Sequence, residues 1–260
     1  MAVAASDVVR SPSPCDHLIQ AYTDDGFLAG VVADYVGTGF ELGEAAVIIA
    51  TRPHVTLFSD RLTALGVDVP GALAARQLLF LDAQQTLGRF MVDGQPDRSR
   101  FLAVVATALD RVRSAGYRGI RLYGEMVDLL WGHNLEATIA LERLWNEVLA
   151  DERLSLFCAY RLDPLGRQVQ GVLRRVTHCH SHSLPVQDPE RFHQAVDRAY
   201  TEVFGVRGDA RMLRNLMIER QSLTTAMPDA QAALFALEKM PPLIANEVRD
   251  RARRHYRSPV

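Results

Sequence analysis

Two residues that begin and end a short apolar segment near the start of the sequence are candidates for ligand contact. His17 begins the segment HLIQAY, Tyr22 ends it, and Asp24 follows in the next turn. Histidine can bind a metal or exchange a proton near neutral pH, while a phenol and a carboxylate offer hydrogen bonds to a small ligand. Residues five apart in a strand point to opposite faces, so His17 and Tyr22 share a pocket only if the chain bends after Ala21. A hydrogen-bonded structural role and a ligand contact are both open for His17.

A second pair of candidates, Arg121 and Glu125, lies in the segment GIRLYGE. In an extended segment, residues four apart lie on the same face. If both are buried they must pair or form other hydrogen bonds, since an isolated buried charge costs several kcal/mol. The first interpretation is therefore a structural Arg–Glu pair, and the second is a polar pair that lines a ligand pocket.

Cys158 lies near the end of the apolar segment LSLFCAY, which favours a buried thiol that packs as a small apolar side chain. A reactive thiol would need a nearby cation or helix start to lower its pKa. Its place near the end of a predicted strand also makes it a candidate for ligand contact.

Three histidines, His178, His180 and His182, form a weak metal-binding candidate. His180 and His182 would share a face in an extended segment, and His178 and His182 would share one in a helix. This short cluster supplies few ligands, and the sequence shows no second pair elsewhere to complete a site. A polar connector between two modules is the favoured interpretation, and no metal is predicted.

The elements that would position these residues alternate between two patterns. Five segments have the pattern of buried strands: residues 17–22, 45–51, 78–82, 119–125 and 155–160. Helices are predicted at residues 25–40, 53–65, 83–90, 97–115, 126–131 and 135–149. This alternation predicts an α/β fold in which a parallel sheet carries helices on both faces. Ligands of such sheets bind beyond the carboxyl ends of the strands, here residues 22–24, 51–54, 82, 124–125 and 158–161.

The strand pattern stops after residue 163. Four helices are predicted beyond it, at residues 189–204, 209–225, 229–240 and 242–256, with Asp188 and Asp229 suited to N-caps. The sequence thus divides into a disordered N-terminus (1–15), an α/β domain (16–163), a linker (164–187) and a helical module (188–260).

Composition narrows the function. The 260-residue chain has a net charge of −2 and a single lysine, Lys239. Near-neutral charge gives no basis for nucleic acid as a partner. The α/β segment contains no lysine, which excludes a phosphate-binding loop of the GxxxxGK[ST] type. Three widely spaced cysteines do not form a disulfide framework, and no apolar segment reaches the roughly 18 residues of a membrane span. These features predict a cytoplasmic protein with no membrane partner.

A series of motifs follows in order along residues 16–163: DHLIQAY, GEAAVIIAT with RPH, LLFLDAQQTLGRFMVDGQPD, IRLYGEMVDLLW, ALERLWNEVL and LSLFCAY. In these motifs the segment resembles the MEDS domain, a sensory domain named for methanogens, methylotrophs and a dichloromethane-responsive regulator. The family is similar to RecA-like ATPases, so the resemblance implies a RecA-like sheet in which HLIQAY would precede the phosphate loop. The loop here is TDDG at residues 23–26. Two carboxylates replace the glycine-rich turn and the lysine, and they would repel a triphosphate.

The resemblance implies a non-enzymatic sensory or regulatory domain that binds a small molecule, in family terms a hydrocarbon derivative, and uses no cofactor. The candidate ligand contacts are His17, Tyr22, Asp24, Arg121, Glu125 and Cys158. Output would pass through the helical tail or through a signalling partner such as a kinase or regulator, and the tail could also pair with a second copy in a homodimer. Two alternatives are open: a degenerate nucleotide-binding protein with weak ATPase activity that uses Glu125, and a protein-interaction scaffold.

Overall fold

A computed structural model of the chain describes residues 5–150, 154–166, 172–205 and 225–257. The chain forms two units, Met1–Arg161 and Leu162–Val260. The first combines a sheet with helices, and the second consists mainly of helices. Within the described ranges, no helix is long and apolar enough to cross a membrane.

A parallel sheet forms the centre of the first unit. The strands of this unit are β1 (His17–Tyr22), β2 (Ala45–Ala50), β3 (Leu78–Asp82), β4 (Met91–Val92), β5 (Gln95–Pro96), β6 (Ile120–Gly124) and β7 (Leu154–Arg161). Five of them are parallel and lie in the order β3-β2-β6-β7-β1, while β4 and β5 form a separate antiparallel pair. The five parallel strands agree with the predicted ones to within one residue at each end. The predicted α/β class and parallel sheet are confirmed.

The burial of β2 explains why its sequence predicts a strand. All six residues of Ala45–Ala50 are buried, because β3 and β6 pair with its two edges and helices cover both of its faces. A strand covered on both faces needs no polar side, so its residues form a continuous apolar run.

Helices cover both faces of the sheet. They are α1 (Ala5–Arg10), α2 (Asp25–Glu41), α3 (Arg52–Ala64), α4 (Val69–Ala74), α5 (Ala83–Gly88), α6 (Arg98–Arg113), α7 (Asp128–Trp131) and α8 (Leu135–Val148). Tyr35 of α2 packs edge-on against Phe157 of β7, with 5.5 Å between ring centroids. The next residue of β7, Cys158, has its sulfur 3.7 Å from Glu142 of α8. Since neighbouring residues of a strand point to opposite faces, α2 and α8 lie on opposite sides of the sheet.

Aspartates determine where several of these helices begin. Asp24, Asp82 and Asp97 each accept a hydrogen bond from the backbone N–H three residues further along. Such a cap satisfies an N–H that the helix itself cannot pair, and contributes about 1 kcal/mol. Asp24 and Asp82 lie at the ends of β1 and β3, so their caps also fix how the chain leaves the carboxyl edge of the sheet.

The N-terminal helix differs from the prediction. Residues 1–15 are predicted to be disordered, but Ala5–Arg10 form α1, in which Val8 and Val9 are buried. Six residues are too few for a periodic pattern to show, and so short a helix is not stable by itself. A residue distant in the sequence stabilises α1: the buried side chain of Arg121 donates hydrogen bonds to carbonyl oxygens at the end of the helix.

The elements of the second unit are α9 (Val172–Thr177), β8 (His182–Ser183), α10 (Pro189–Phe204), α11 (Asp229–Ala236), a 3-10 helix (Leu237–Lys239) and α12 (Pro242–Arg257). Helix α10 packs against α11 and α12 around a core that includes Phe192, Tyr200, Leu234 and Val248. The Tyr200 hydroxyl donates a 2.7 Å hydrogen bond to the carbonyl of Ala233. Three of the four predicted C-terminal helices are therefore present in the described residues.

Details of the second unit depart from the prediction. The segment predicted as a linker contains the short helix α9. Asp188 caps α10 through Arg191 N–H at 3.2 Å, as predicted, but Asp229 is the first residue of α11 and not its cap. The predicted helix 209–225 lies almost entirely outside the described residues.

Candidate functional site

The carboxyl ends of the parallel strands carry polar side chains. They are Tyr22 at the end of β1, Thr51 after β2, Asp82 at the end of β3, Glu125 after β6 and Arg161 at the end of β7. A parallel sheet places these ends along one edge, which is where the sequence predicts ligand contacts. Two predicted candidates, Tyr22 and Glu125, therefore belong to the same edge.

Glu125 is buried at this edge, and several hydrogen-bond donors surround its carboxylate. Its Oε2 accepts from the Tyr123 hydroxyl at 3.1 Å and lies 2.5 Å from Nδ1 of His54, while Oε1 accepts from the backbone N–H of Thr51. These donors replace the water that the carboxylate loses, which is the condition for burying a charge. The predicted pairing of Glu125 with Arg121 is wrong, because each of the two has other partners.

His54 links two carboxylates. It lies in the first turn of α3, with Nδ1 on Glu125 and Nε2 3.2 Å from Oδ1 of Asp25, and its ring stacks on Phe58 with 5.3 Å between centroids. Burial, the largest influence, lowers the pKa of His54, but hydrogen bonds and charges from Glu125 and Asp25 outweigh it. The pKa is consequently raised above its usual value. The site therefore favours the protonated ring.

Arg161 joins the same group from the end of β7. Its guanidinium donates to Oδ1 of Asp25 and lies over the ring of Tyr22, with Cζ 5.0 Å from the ring centroid. Its backbone N–H donates to Asp128 at 2.7 Å. Burial raises the pKa of Asp128, although this N–H and the indole N–H of Trp131 stabilise the carboxylate. Arg161 thus contacts the site through both its side chain and its backbone.

Asp24, a predicted ligand contact, caps the helix that follows β1. Its Oδ1 accepts a 2.6 Å hydrogen bond from Phe27 N–H at the start of α2. A helix start is where backbone N–H groups and the helix dipole favour an anion. Here the carboxylate of Asp24 itself accepts from the start of the helix that follows β1.

His17 and Cys158 lie with Glu142 in a second cluster on the α8 face, and these three side chains are buried. Nε2 of His17 is 3.3 Å from Sγ of Cys158 and 3.3 Å from Oε2 of Glu142, and Nδ1 is 2.9 Å from Oδ1 of Asn146. The Tyr160 hydroxyl donates to Oε1 of Glu142. The ligand-type atoms of His17, Glu142 and Cys158 lie within 4.8 Å of one another, so one metal ion could contact all three. His17 and Tyr22 face opposite sides of the sheet, as their spacing predicts, and do not share a site.

Comparison with known families identifies the domain. The model of the family described as MEDS, the methanogen/methylotroph, DcmR sensory domain, matches residues 16–181, which is more than half of the chain. The chain belongs to the MEDS family. The resemblance read from the sequence is confirmed, and the family description assigns the chain a sensory role. No curated protein matches the chain.

Arg121 has a structural position in the MEDS domain. It is the second residue of β6, and its guanidinium pairs with Glu44 at 2.5 Å and donates to the carbonyl oxygens of Tyr35 at 2.6 Å and Arg10 at 3.0 Å. These contacts join β6 to α2 and α1, and they use several of the N–H donors of the Arg121 guanidinium. The structure does not bring Arg121 together with Glu125 at the carboxyl edge.

The predicted weak metal candidates lie at the end of the MEDS match. Nδ1 of His178 is 2.7 Å from the Arg174 carbonyl, Nδ1 of His180 is 2.9 Å from the Val176 carbonyl, and Nδ1 of His182 is 2.9 Å from Ser181 Oγ. Each ring therefore has a local contact within its own segment. These contacts fit the predicted connector role.

Sequence reasoning did not select His54, Asp25 or Glu142 as site residues of the MEDS domain. The sequence could have indicated the first two as site residues, because His54 lies in the predicted carboxyl-end segment 51–54 and Asp25 lies in the TDDG loop. Glu142 carries a signal of another kind: it is an acidic residue among the buried Leu141 and Trp145 of α8. An acid on the apolar side of an amphipathic helix must find a polar partner.

Proposed function

We propose that the MEDS domain of this chain binds a small, uncharged or weakly polar molecule at the carboxyl edge of its sheet, without catalysing a reaction. Occupancy of the edge is transmitted to the second unit through Arg161. The observation that carries the proposal is that Arg161 donates two hydrogen bonds at this edge. Its guanidinium donates to Asp25, and its backbone N–H donates to Asp128.

Charge at the edge argues for an uncharged ligand. The carboxylates there are Asp24, Asp25, Asp82, Glu125 and Asp128, and the cationic groups near them are Arg52, His54 and Arg161. A nucleoside triphosphate would meet this excess of acids, and Asp24 already caps the helix start that would otherwise bind a phosphate. Neutral molecules incur no such repulsion.

The geometry of His54 argues against catalysis. A general base needs a nitrogen within hydrogen-bond reach of the proton that it removes. Both ring nitrogens of His54 contact carboxylates of the protein, Nδ1 with Glu125 and Nε2 with Asp25. The histidine therefore acts in this proposal as a buried cross-link whose contacts a ligand can change.

Arg161 supplies the route for the signal. It is the last residue of the first unit, and Leu162 begins the second. About half of the Arg161 and Asp25 side chains is exposed, so a ligand that arrives from solvent can accept a hydrogen bond from Arg161 in place of Asp25. Such a ligand moves the residue that leads directly into the second unit, which would then act on a signalling partner, a kinase or a regulator, or on a second copy of the chain.

The test measures ligand binding and the response of Arg161 to it. Titration calorimetry of the full chain with dichloromethane and with methanol should detect binding of at least one, and Mg·ATP should give none. Hydrogen exchange at the Arg161 N–H should change on binding. Arg161→Gln should weaken binding at least tenfold, whereas the surface variant Arg98→Gln, which removes an exposed Arg–Glu pair, should leave it unchanged.

Two outcomes would overturn the proposal. Micromolar binding of Mg·ATP would support the degenerate nucleotide-binding alternative. Binding of a small molecule that Arg161→Gln and Arg98→Gln affect equally would remove Arg161 from the site.

A further inference from the structure

We propose that His17, Glu142 and Cys158 bind one divalent transition-metal ion of the zinc class inside the first unit. This site lies on the α8 face and shares none of its residues with the carboxyl edge. It adds a metal to a domain for which the sequence predicted no cofactor.

The three ligand atoms have the spacing of a tetrahedral site. Nε2 of His17 lies 3.3 Å from Oε2 of Glu142 and 3.3 Å from Sγ of Cys158, and Sγ lies 3.7 Å from Oε2. Neighbouring nitrogen, oxygen and sulfur ligands of a tetrahedral Zn²⁺ are about 3.3–3.6 Å apart, given Zn–N and Zn–O lengths of about 2.0–2.1 Å and a Zn–S length of about 2.3 Å. A point equidistant from the three atoms lies about 2.0 Å from each, and a position out of their plane lies about 2.0–2.1 Å from Nε2 and Oε2 and about 2.3 Å from Sγ.

Neighbouring side chains orient two of the three ligands. Oδ1 of Asn146 accepts from Nδ1–H of His17, which leaves the lone pair of Nε2 directed at the other ligands. The Tyr160 hydroxyl donates to Oε1 of Glu142, which leaves Oε2 facing His17 and Cys158. Partners of this kind fix the tautomer and direction of ligands in natural metal sites.

Burial and charge favour a divalent ion. Glu142 and Cys158 have no exposed surface, and His17 is 2% exposed. A carboxylate in such surroundings stabilises a cation bound beside it. On binding, the Cys158 thiol releases its proton to solvent, so a thiolate and a carboxylate together balance a 2+ ion and the imidazole remains neutral. Mixed nitrogen, sulfur and oxygen ligands suit Zn²⁺ and exclude Mg²⁺ and Ca²⁺, which prefer oxygen alone.

The ligands come from three separate elements. His17 begins β1, Glu142 lies in α8 and Cys158 lies in β7. An ion shared by the three would link β1 and β7 to the helix that covers this face, so its binding would add to the stability of the fold.

The first experiment measures metal content. The full chain is incubated with Zn²⁺ under reducing conditions, desalted and analysed by mass spectrometry for metals. We expect one ion per chain in the wild type and in Cys15→Ser, which changes an exposed cysteine, and less than a tenth of that in Cys158→Ser and Glu142→Gln. Circular dichroism establishes that each variant is folded.

The second experiment uses the wild type alone, so it does not depend on variants that fold. Co²⁺ added to metal-free protein should produce the thiolate-to-cobalt charge-transfer band of a cysteine-bound ion, and Zn²⁺ should abolish it. Removal of metal by a chelator should lower the melting temperature, and Zn²⁺ should restore it. A wild type that takes up neither ion in stoichiometric amount overturns the proposal. So does a charge-transfer band that persists in folded Cys158→Ser or disappears in Cys15→Ser. A negative result leaves the carboxyl-edge proposal intact.

Discussion

Nδ1 of His54 lies 2.5 Å from Oε2 of Glu125, although the two residues are 71 positions apart in the sequence. The contact forms because β2 and β6 are neighbours and His54 and Glu125 both follow the ends of those strands. It joins a titratable ring to a buried carboxylate at the edge of the sheet where we propose that this domain binds its ligand.

The raised pKa of His54 predicts that stability depends on pH. The folded-state pKa lies above the unfolded value of about 6.5, so the folded chain holds the proton more tightly. The stabilisation is complete below about pH 6.5 and is lost as pH rises through the folded-state pKa. We expect the free energy of unfolding, measured in urea across this range, to fall with rising pH, and to fall less in His54→Gln.

The control for this experiment is His133→Gln, because His133 is an exposed histidine of the same unit. It should retain the pH dependence of the wild type. An equal slope in His54→Gln and the wild type would contradict the role given to His54.

The charge of Glu125 should control the pKa of His54. Glu125→Gln keeps the size of the side chain and an acceptor oxygen but removes the charge that favours the protonated ring. We expect the pKa of His54, followed by NMR, to fall in this variant. A double-mutant cycle of Glu125→Gln and His54→Gln should give a coupling of about 1–3 kcal/mol in the free energy of unfolding. A coupling near zero would show that the two residues do not act as a pair.

Arg121 should matter for stability. Arg121→Met removes the ion pair with Glu44 and the donors to α1 and α2, and leaves carbonyl oxygens unpaired. We expect a loss of about 3–5 kcal/mol in the free energy of unfolding and faster proteolysis near α1. Arg118→Met, which changes an exposed arginine just before β6, should cost less than about 0.5 kcal/mol. Equal effects of the two variants would contradict the structural role.

Two glycines of α2 should respond in opposite ways to alanine. A Cβ on Gly39 would lie 2.6 Å from Nε and 2.7 Å from Cδ of Arg121, whose guanidinium is fixed by several hydrogen bonds. A Cβ on Gly37 would have no atom of another element within 4 Å. We expect Gly39→Ala to destabilise the chain by about 1–3 kcal/mol. Gly37→Ala should stabilise it by about 0.5–1 kcal/mol, because alanine favours the helix. Thermal unfolding distinguishes the two signs.

Much of the fold could be predicted from local patterns. The continuous apolar run of β2 and the polar breaks around it define a buried strand within a few residues of sequence. The short helix α1 could not be found in this way, because its stability comes from Arg121, more than a hundred residues away. The candidate site was predicted as an edge of the sheet but not as a set of contacts.

The sequence by itself determined the order of the five parallel strands and of the longer helices between them, the Asp188 cap of α10, and the replacement of a phosphate loop by TDDG. All of these depend on side-chain periodicity and backbone preference, which act over about ten residues. Only the tertiary structure decided that Arg121 pairs with Glu44, that Glu125 meets His54, and that His17 meets Glu142 and Cys158. Those partners depend on which strands are neighbours and in which register, and a buried charge pairs with whatever polar group the packing brings within reach.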